Sequence, residues 1–182
     1  MNTPTYTTKR LSFGPGVLYI GAAGATPMTD IGAVKTGATL TITRDKLEVK
    51  QGSPESLIKQ WVVSETVKLD VVGLEWNLDN LQYAIGAGVI STNGDETDFG
   101  LGGDMEVTEA SLKFVHQMPA GGTVEIDIWK AQSAGELSVS FGNDPHEFPY
   151  SFIALDSTTD WSGSALDSKA KLVKIALTGT WT

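Results

Sequence analysis

The chain has 182 residues, no cysteine and a formal net charge of −9. Its length fits one domain or a domain with appended arms, and 41% hydrophobic residues suffice for a core, while the missing thiols exclude a disulfide framework, a thiolate metal site and a cysteine nucleophile. The entire charge excess lies between Leu69 and Leu112, where nine acids (Asp70, Glu75, Asp79, Asp95, Glu96, Asp98, Asp104, Glu106, Glu109) meet no lysine or arginine, and such a surface repels a polyphosphate.

Read in chain order, the pattern is that of strands. The polar Met1–Arg10 stretch does not resemble a signal peptide, and no apolar run approaches the ~20 residues of a membrane-spanning helix. Val17–Gly21 is a short apolar strand after Gly14-Pro15-Gly16. Thr39 to Val49 alternates with period two, with Leu40 and Ile42 on one face and threonines on the other, until Arg44-Asp45-Lys46 breaks the apolar pattern and Gly52-Ser53-Pro54 stops the strand. A short turn is expected over Pro54–Lys59, then a long strand from Trp61 to Gly73 with Val67, Leu69 and Val71 on its inner face.

One helix is expected: Asn77 caps it, Asp79 sits in its first turn, Leu78, Leu81 and Ile85 share a face, and Gly86 and Gly88 end it. Ser91–Asp104, rich in glycine and acid, reads as a surface loop. Ala110–Met118 places Leu112, Phe114, His116 and Met118 on one side, and Pro119–Gly122 turns the chain into Thr123–Lys130, with Val124, Ile126 and Ile128 inward. Strands are also expected at Leu137–Phe141, Phe148–Leu155 and Lys171–Thr178, with a loop over Ser157–Ser168. The sum is about eight or nine strands and one short helix: a mainly β fold, a β-sandwich or barrel of two packed sheets with the helix on its flank.

Motifs for catalysis fail on inspection. Ser56-Leu57-Ile58-Lys59 and Lys35-Thr36-Gly37 match the S-x-x-K and K-T-G of penicillin-recognising enzymes, but in the wrong order and without Ser-Asp-Asn. Gly86-Ala87-Gly88 closes a helix where a dinucleotide fold needs glycines to open one. Asn93–Asp98 offers carboxylates to Ca²⁺ but fits neither the EF-hand nor a nonapeptide spacing. His116 lies on an apolar strand face and His146 in a turn, and two histidines without a nucleophile elbow make no triad. No catalytic residue, cofactor or metal site is expected. Trp129, on the polar side of its strand, is the best candidate for an exposed ring, as a sugar platform with Trp161 or as an interface residue.

The order of these elements carries a resemblance. "FGPGVLYIG", "DIGAVKTGATLTITRDKLEVKQGSP", "WVVSETVKLDVVGLEWNLDNLQYAIG", "KFVHQMPAGGTVEIDIWKA" and "ELSVSFGNDPHEFPYSFIALDS" together resemble a major tail tube protein of a long-tailed bacteriophage, over most of Phe13–Ser157. The resemblance implies two packed sheets with one flanking helix, six-subunit rings stacked into a hollow tube, and passage of DNA without specific binding. It also implies tape measure, terminator and distal tail proteins as partners, assembly in the host cytoplasm and residence in the virion. An arm at about residues 43–60 would reach a neighbouring subunit. Arg44, Asp45, Lys46, Glu48 and Lys50 would there meet opposite charges, Leu47 and Val49 would anchor, and Gly52 and Pro54 would form the tip. Candidate lumen acids are Asp70, Glu125 and Asp127 on strands and Asp95, Glu96 and Asp98 in a loop. A tube from a contractile tail or type VI secretion machine, and a monomeric binding or capsid-decoration module, are the alternatives.

Overall fold

The computed structural model describes residues 12, 14–103, 105–119 and 121–179. Met1–Arg10, Phe13, Asp104, Ala120 and Trp181 therefore lie outside the described residues. The chain is mainly β with one helix: β1 (Val17–Ala22), β2 (Thr29–Asp30), β3 (Val34–Gln51), β4 (Ser56–Gly73), α1 (Leu78–Ile85), β5 (Val89–Asn93), β6 (Glu96–Gly100), β7 (Glu109–Gln117), β8 (Thr123–Ser133), β9 (Phe148–Ala154) and β10 (Lys174–Thr178). Among the described residues no helix is long and apolar enough to cross a membrane.

Eight strands form one antiparallel sheet in the order β2-β1-β7-β8-β9-β4-β3, with β10 added to β8; β5 and β6 form a separate hairpin. The sheet splits along β8, whose residues 123–127 pair with β10 and whose residues 131–133 pair with β9. One core cluster draws on every long element: Leu18 and Ile20 from β1, Leu69 and Val71 from β4, Leu112 from β7, Ile128 from β8, Phe148 and Phe152 from β9, and Ala84 from α1. The fold is mainly β with two sheets and one helix, as expected: the eight-stranded sheet buries one core cluster, and β5–β6 is the second, small sheet.

The helix forms as its residues dictate. The Asn77 side chain accepts from the backbone of Asp79 and Asn80, and Gly86, at φ +73°, closes the last turn. A Cβ at Gly86 would also meet Val107 Cγ1 at 2.7 Å. Asn80 is buried and donates from its side-chain amide to the Ile31 carbonyl at 3.0 Å, tying the helix to the loop before β3.

Four local expectations are corrected. β4 begins at Ser56, not Trp61, and the turn expected over Pro54–Lys59 shrinks to 52–55, because β3 pairs with this stretch down to Gln51↔Ser56. Ser91–Asp104 is mostly the β5–β6 hairpin, closed by Gly94 at φ +65° between Asn93 and Glu96. Leu137–Phe141 is not a strand: Leu137 and Val139 pack on the core from an irregular segment, while Phe141 lies exposed against Trp76. The final strand starts at Lys174 instead of Lys171.

Residues 155–178 belong to the body. Leu155 N–H donates to the Lys130 carbonyl, Ser157 N–H to Lys171, and β10 returns alongside β8. Residues 155–173 in this way cover the side of β8 that faces away from the core, with Trp161 edge-on to Trp129 at 4.9 Å between ring centres. The expectation of an exposed Trp129 is overturned: its ring is 6% exposed and its indole N–H donates to the Ala170 carbonyl at 3.0 Å.

Candidate functional site: a projecting β-ribbon

β3 and β4 are each 18 residues long, yet only one end of their hairpin is covered. β9 pairs with β4 from Gly73 back to Lys68 and no further. Beyond Thr66 every residue of β4 is exposed, as is every residue of β3 from Thr41 onward. The free portion of β3, Arg44–Gln51, spans roughly 27 Å at about 3.4 Å per residue. Its tip contains Gly52 at φ +105° and a cis Ser53–Pro54 bond.

The ladder shows what each face of this ribbon carries. Leu47 pairs with Trp61 and Val49 with Lys59, so these four share a face. Lys59 lies over the Trp61 ring at 4.9 Å, a cation–π contact. This face continues the hydroxyl-bearing outer side of the sheet, where Thr39 pairs with Asp70 and Thr41 with Lys68. Arg44, Lys46, Glu48 and Lys50 occupy the opposite face with Glu65 and Gln60. Two irregularities, between Asp45 and Lys46 and between Val49 and Lys50, interrupt the register and turn the ribbon locally.

Four of the five charged ribbon residues expected to meet a neighbour, Arg44, Asp45, Glu48 and Lys50, already have partners within the chain. Arg44 Nε meets Glu65 at 2.8 Å and Lys50 Nζ meets Glu48 at 3.0 Å. Gln60 donates to Glu48, and Ser64 to Asp45. The hydrogen bonds from Lys50 and Gln60 hold the Glu48 carboxyl below its ordinary range. The apolar residues have no such internal partner. Leu47, Val49, Leu57, Ile58, Trp61, Val62 and Val63 are all substantially exposed. They lie on both faces of the ribbon: Leu47, Val49 and Trp61 on one, and Val62 and Leu57, paired with Lys46 and Lys50, on the other. β3 is also the last strand of the sheet, so its outer edge presents unpaired backbone groups over its length.

The candidate lumen acids come from three elements, β4, β8 and the β5–β6 hairpin. Asp70 lies on the outer side of β4, accepting from Ser151 at 2.7 Å and meeting Lys68 at 2.9 Å. Glu125, on β8, meets Lys113 at 3.1 Å. Asp127 is buried, at 6% exposure, and burial raises its carboxyl above the ordinary range, with Lys113 and Lys174 pulling the other way and Glu125 adding to the rise. Asp127 is therefore not a surface acid in this chain. Asp95, Glu96 and Asp98 stand exposed on the β5–β6 hairpin.

The remaining sequence candidates are dispersed. Ser56 donates to the Gln51 carbonyl at the ribbon tip, whereas Lys35 at the far end of the hairpin pairs with Glu147. His116 Nδ1 is 2.9 Å from the Pro15 carbonyl, and His146 Nδ1 accepts from the Trp76 indole at 3.2 Å. Among the described residues no group of three His, Asp or Glu side chains is placed to hold a metal ion. Sequence reasoning missed the aromatic set Trp76, Phe141, His146 and Phe148, because its members come from two loops and a strand far apart in the chain. The chain matches no protein-family model and no curated protein sequence.

Proposed function

We propose that the protein is structural and self-assembling, a subunit of a bacteriophage tail tube built of stacked hexameric rings through which DNA passes. The observation that carries the reading is the β3–β4 ribbon: Arg44 and Lys50 are ion-paired within it, large apolar side chains stand exposed on it, and β9 does not reach it. A tube subunit needs such an element, because its contacts lie on other copies. The free edge of β3, an aggregation hazard in a monomer, is an assembly device in a polymer. The acidic surplus suits a conduit that must not hold phosphate, since like charge opposes binding within a Debye length of about 8–10 Å. Tape measure and terminator proteins are the partners that this reading implies, and the virion tail is the location.

The test removes the ribbon and keeps the body. Residues Lys46–Val63 are replaced by Asn-Gly, which joins Asp45 to its ladder partner Ser64 through a two-residue turn. The shortened chain is expected to unfold at an unchanged urea midpoint and to form no tubes in negative-stain electron microscopy across a concentration series, while the full chain forms uniform hollow tubes or rings. Tubes from the shortened chain would remove the ribbon from the assembly; a full chain that stays monodisperse at every concentration would overturn the tube reading.

A further inference from the structure

The aromatic set between the end of β4 and the start of β9 holds one ring in water. Phe148, fully buried, meets the Trp76 ring edge-on at 4.7 Å between centres, and His146 Nδ1 accepts from the Trp76 indole at 3.2 Å. The indole is fixed from two sides. Phe141 stacks on it, 24° from parallel and 6.0 Å away, and His146 stands edge-on to Phe141 at 4.9 Å. Phe141 is nevertheless 74% exposed. One face of its ring is backed by a ring anchored in the core, and the rest of it is open. Leaving so large an apolar group in water gains nothing for the fold, whereas a flat ring fixed from behind is a platform.

A groove begins at this platform. Phe141 borders a hollow of about 410 Å³, with Ser138, Ser140, Asp144 and Glu147 on its walls. A second hollow of about 390 Å³ continues it: Ser138 and Pro149 border both, and Lys68, Asp70, Glu136 and Ser151 line the farther part. The two follow the outer side of β4 and β9, where Val72 pairs with Pro149 and Asp70 with Ser151. Those two rungs alone are about 7 Å apart, so the groove is longer than a single pyranose ring.

Its polar groups are hydroxyls and carboxylates. Lys68 is bound to Asp70, and Glu147 to Lys35. The Ser138 and Ser140 hydroxyls and the carboxylates of Glu136 and Asp144 have no hydrogen bond or ion pair among the described residues. The uncompensated negative charge disfavours phosphate and other anions. A cage for a quaternary ammonium needs several rings converging on one point, but here the rings stack on each other and present one face. A neutral sugar matches what is present. Its C–H face lies flat on an aromatic ring, and its hydroxyls donate to carboxylates and exchange hydrogen bonds with serines.

We propose that this groove binds a neutral oligosaccharide, with one pyranose ring on Phe141 and further units along β4 and β9, their hydroxyls on Ser138, Asp144 and Glu136. Trp76 and His146 are positioning residues that hold Phe141 in place. The platform that the sequence suggested at Trp129 is supplied by a ring from another part of the chain. The inference goes beyond the tube reading and does not depend on it.

The test is isothermal titration calorimetry of the full chain with four neutral hexasaccharides (cellohexaose, maltohexaose, mannohexaose and chitohexaose), with hexagalacturonate and tetramethylammonium as charged probes. Saturable binding of at least one neutral hexasaccharide is expected, and none of either charged probe. Phe141→Ala and Asp144→Asn are each expected to weaken that binding about tenfold or more. Both side chains are exposed, so urea midpoints should not move. Phe141→Tyr keeps the flat ring and is expected to bind like wild type, while Phe141→Leu, apolar without a flat face, is expected to bind like Phe141→Ala. Val89→Ala, on β5 outside the groove, is expected to change nothing. The proposal is overturned if none of the four hexasaccharides binds, or if hexagalacturonate binds in their place. Saturable binding of tetramethylammonium would make this a cation site and overturn it too. Hexasaccharide binding that survives Phe141→Ala or Phe141→Leu would remove the platform and with it the proposal.

Discussion

Leu69 and Leu47 both sit in ladder pairs of one hairpin, Leu69 on its core face and Leu47 on its outer face. Leu69 lies between Leu40 on β3 and Phe152 on β9 and is fully buried; Leu47 faces Trp61 on the return strand and is 56% exposed. The two leucines differ in the face they occupy and in the presence of a third strand beside them. β9 reaches β4 only from Lys68 to Gly73, and there alternate residues of β4 vanish from solvent. Where β9 stops, the ladder goes on and the burial does not. Pairing and burial are separable in this fold: residues 44–51 and 56–66 have the first without the second.

The largest test of that contrast is Leu69→Ala. It removes a fully buried side chain from the centre of the core cluster and is expected to cost about 2–5 kcal/mol in urea unfolding. A cost near that of an exposed position would mean that the base of the hairpin is as uncovered as its tip.

Next is the one acid that the body has enclosed. Burial raises the Asp127 carboxyl above its unfolded value, so the folded chain binds this proton more readily than the unfolded one. Its ionised form opposes folding at neutral pH, and that opposition fades as pH falls through the raised folded value toward the unfolded one. The exposed Glu48 and Asp160 run the other way: hydrogen bonds, from Lys50 in the first case and Ser162 in the second, hold each carboxyl low, so their favourable contributions are lost on acidification. The difference between wild type and Asp127→Asn isolates the buried group. The variant is expected to match or exceed wild type in urea midpoint at pH 7, with the gap closing toward pH 4. A variant clearly weaker at pH 7 would show a charged Asp127 held usefully by Lys113 and Lys174.

On the ribbon, electrostatics are expected to matter less. A double-mutant cycle on Arg44 and Glu65, both about half exposed, should give a coupling of about 0.2–1 kcal/mol that shrinks in salt. A larger, salt-resistant value would place the ribbon against other protein even in the monomer.

What was legible in the sequence follows the same division. The strands with one buried face, β7 and β8, show their alternation openly, and α1 announces both ends through Asn77 and Gly86. The first part of β4 does not: with both faces exposed, residues 56–66 have no core to impose a period, and the start was read five residues late. β5–β6 hid for the same reason, since Ser91, Thr92, Glu96 and Asp98 read as loop composition until the ladder pairs them. Trp129 and Asp127 were misplaced for the opposite reason. They lie on the polar side of a well-read strand, but Trp161 and the Ala170 carbonyl, remote in sequence, close over Trp129, and Asp127 sits in the ladder between Lys113 on β7 and Lys174 on β10. The sequence reading sent the ribbon's charges to a neighbouring subunit; the ladder sets Arg44 opposite Glu65 and Asp45 opposite Ser64 within the chain, a register that composition alone does not give.

The smallest expected effect on stability is the most informative about function. Leu47→Ala removes an exposed side chain and should leave the urea midpoint of the unassembled chain within about 0.5 kcal/mol of wild type. If the ribbon is an anchor for another copy, the same substitution takes a large apolar group out of a contact that must outweigh the mutual repulsion of subunits carrying −9 each. Assembly, followed by light scattering as a function of concentration, should then shift to a critical concentration about tenfold higher, as a loss of about 1.4 kcal/mol per contact requires. A ribbon that only decorates a monomer would show neither effect, and a ribbon folded back on its own body would show the first without the second. Stability unmoved and assembly weakened is the pair of outcomes that separates a strand paired for its own chain from one extended toward the next.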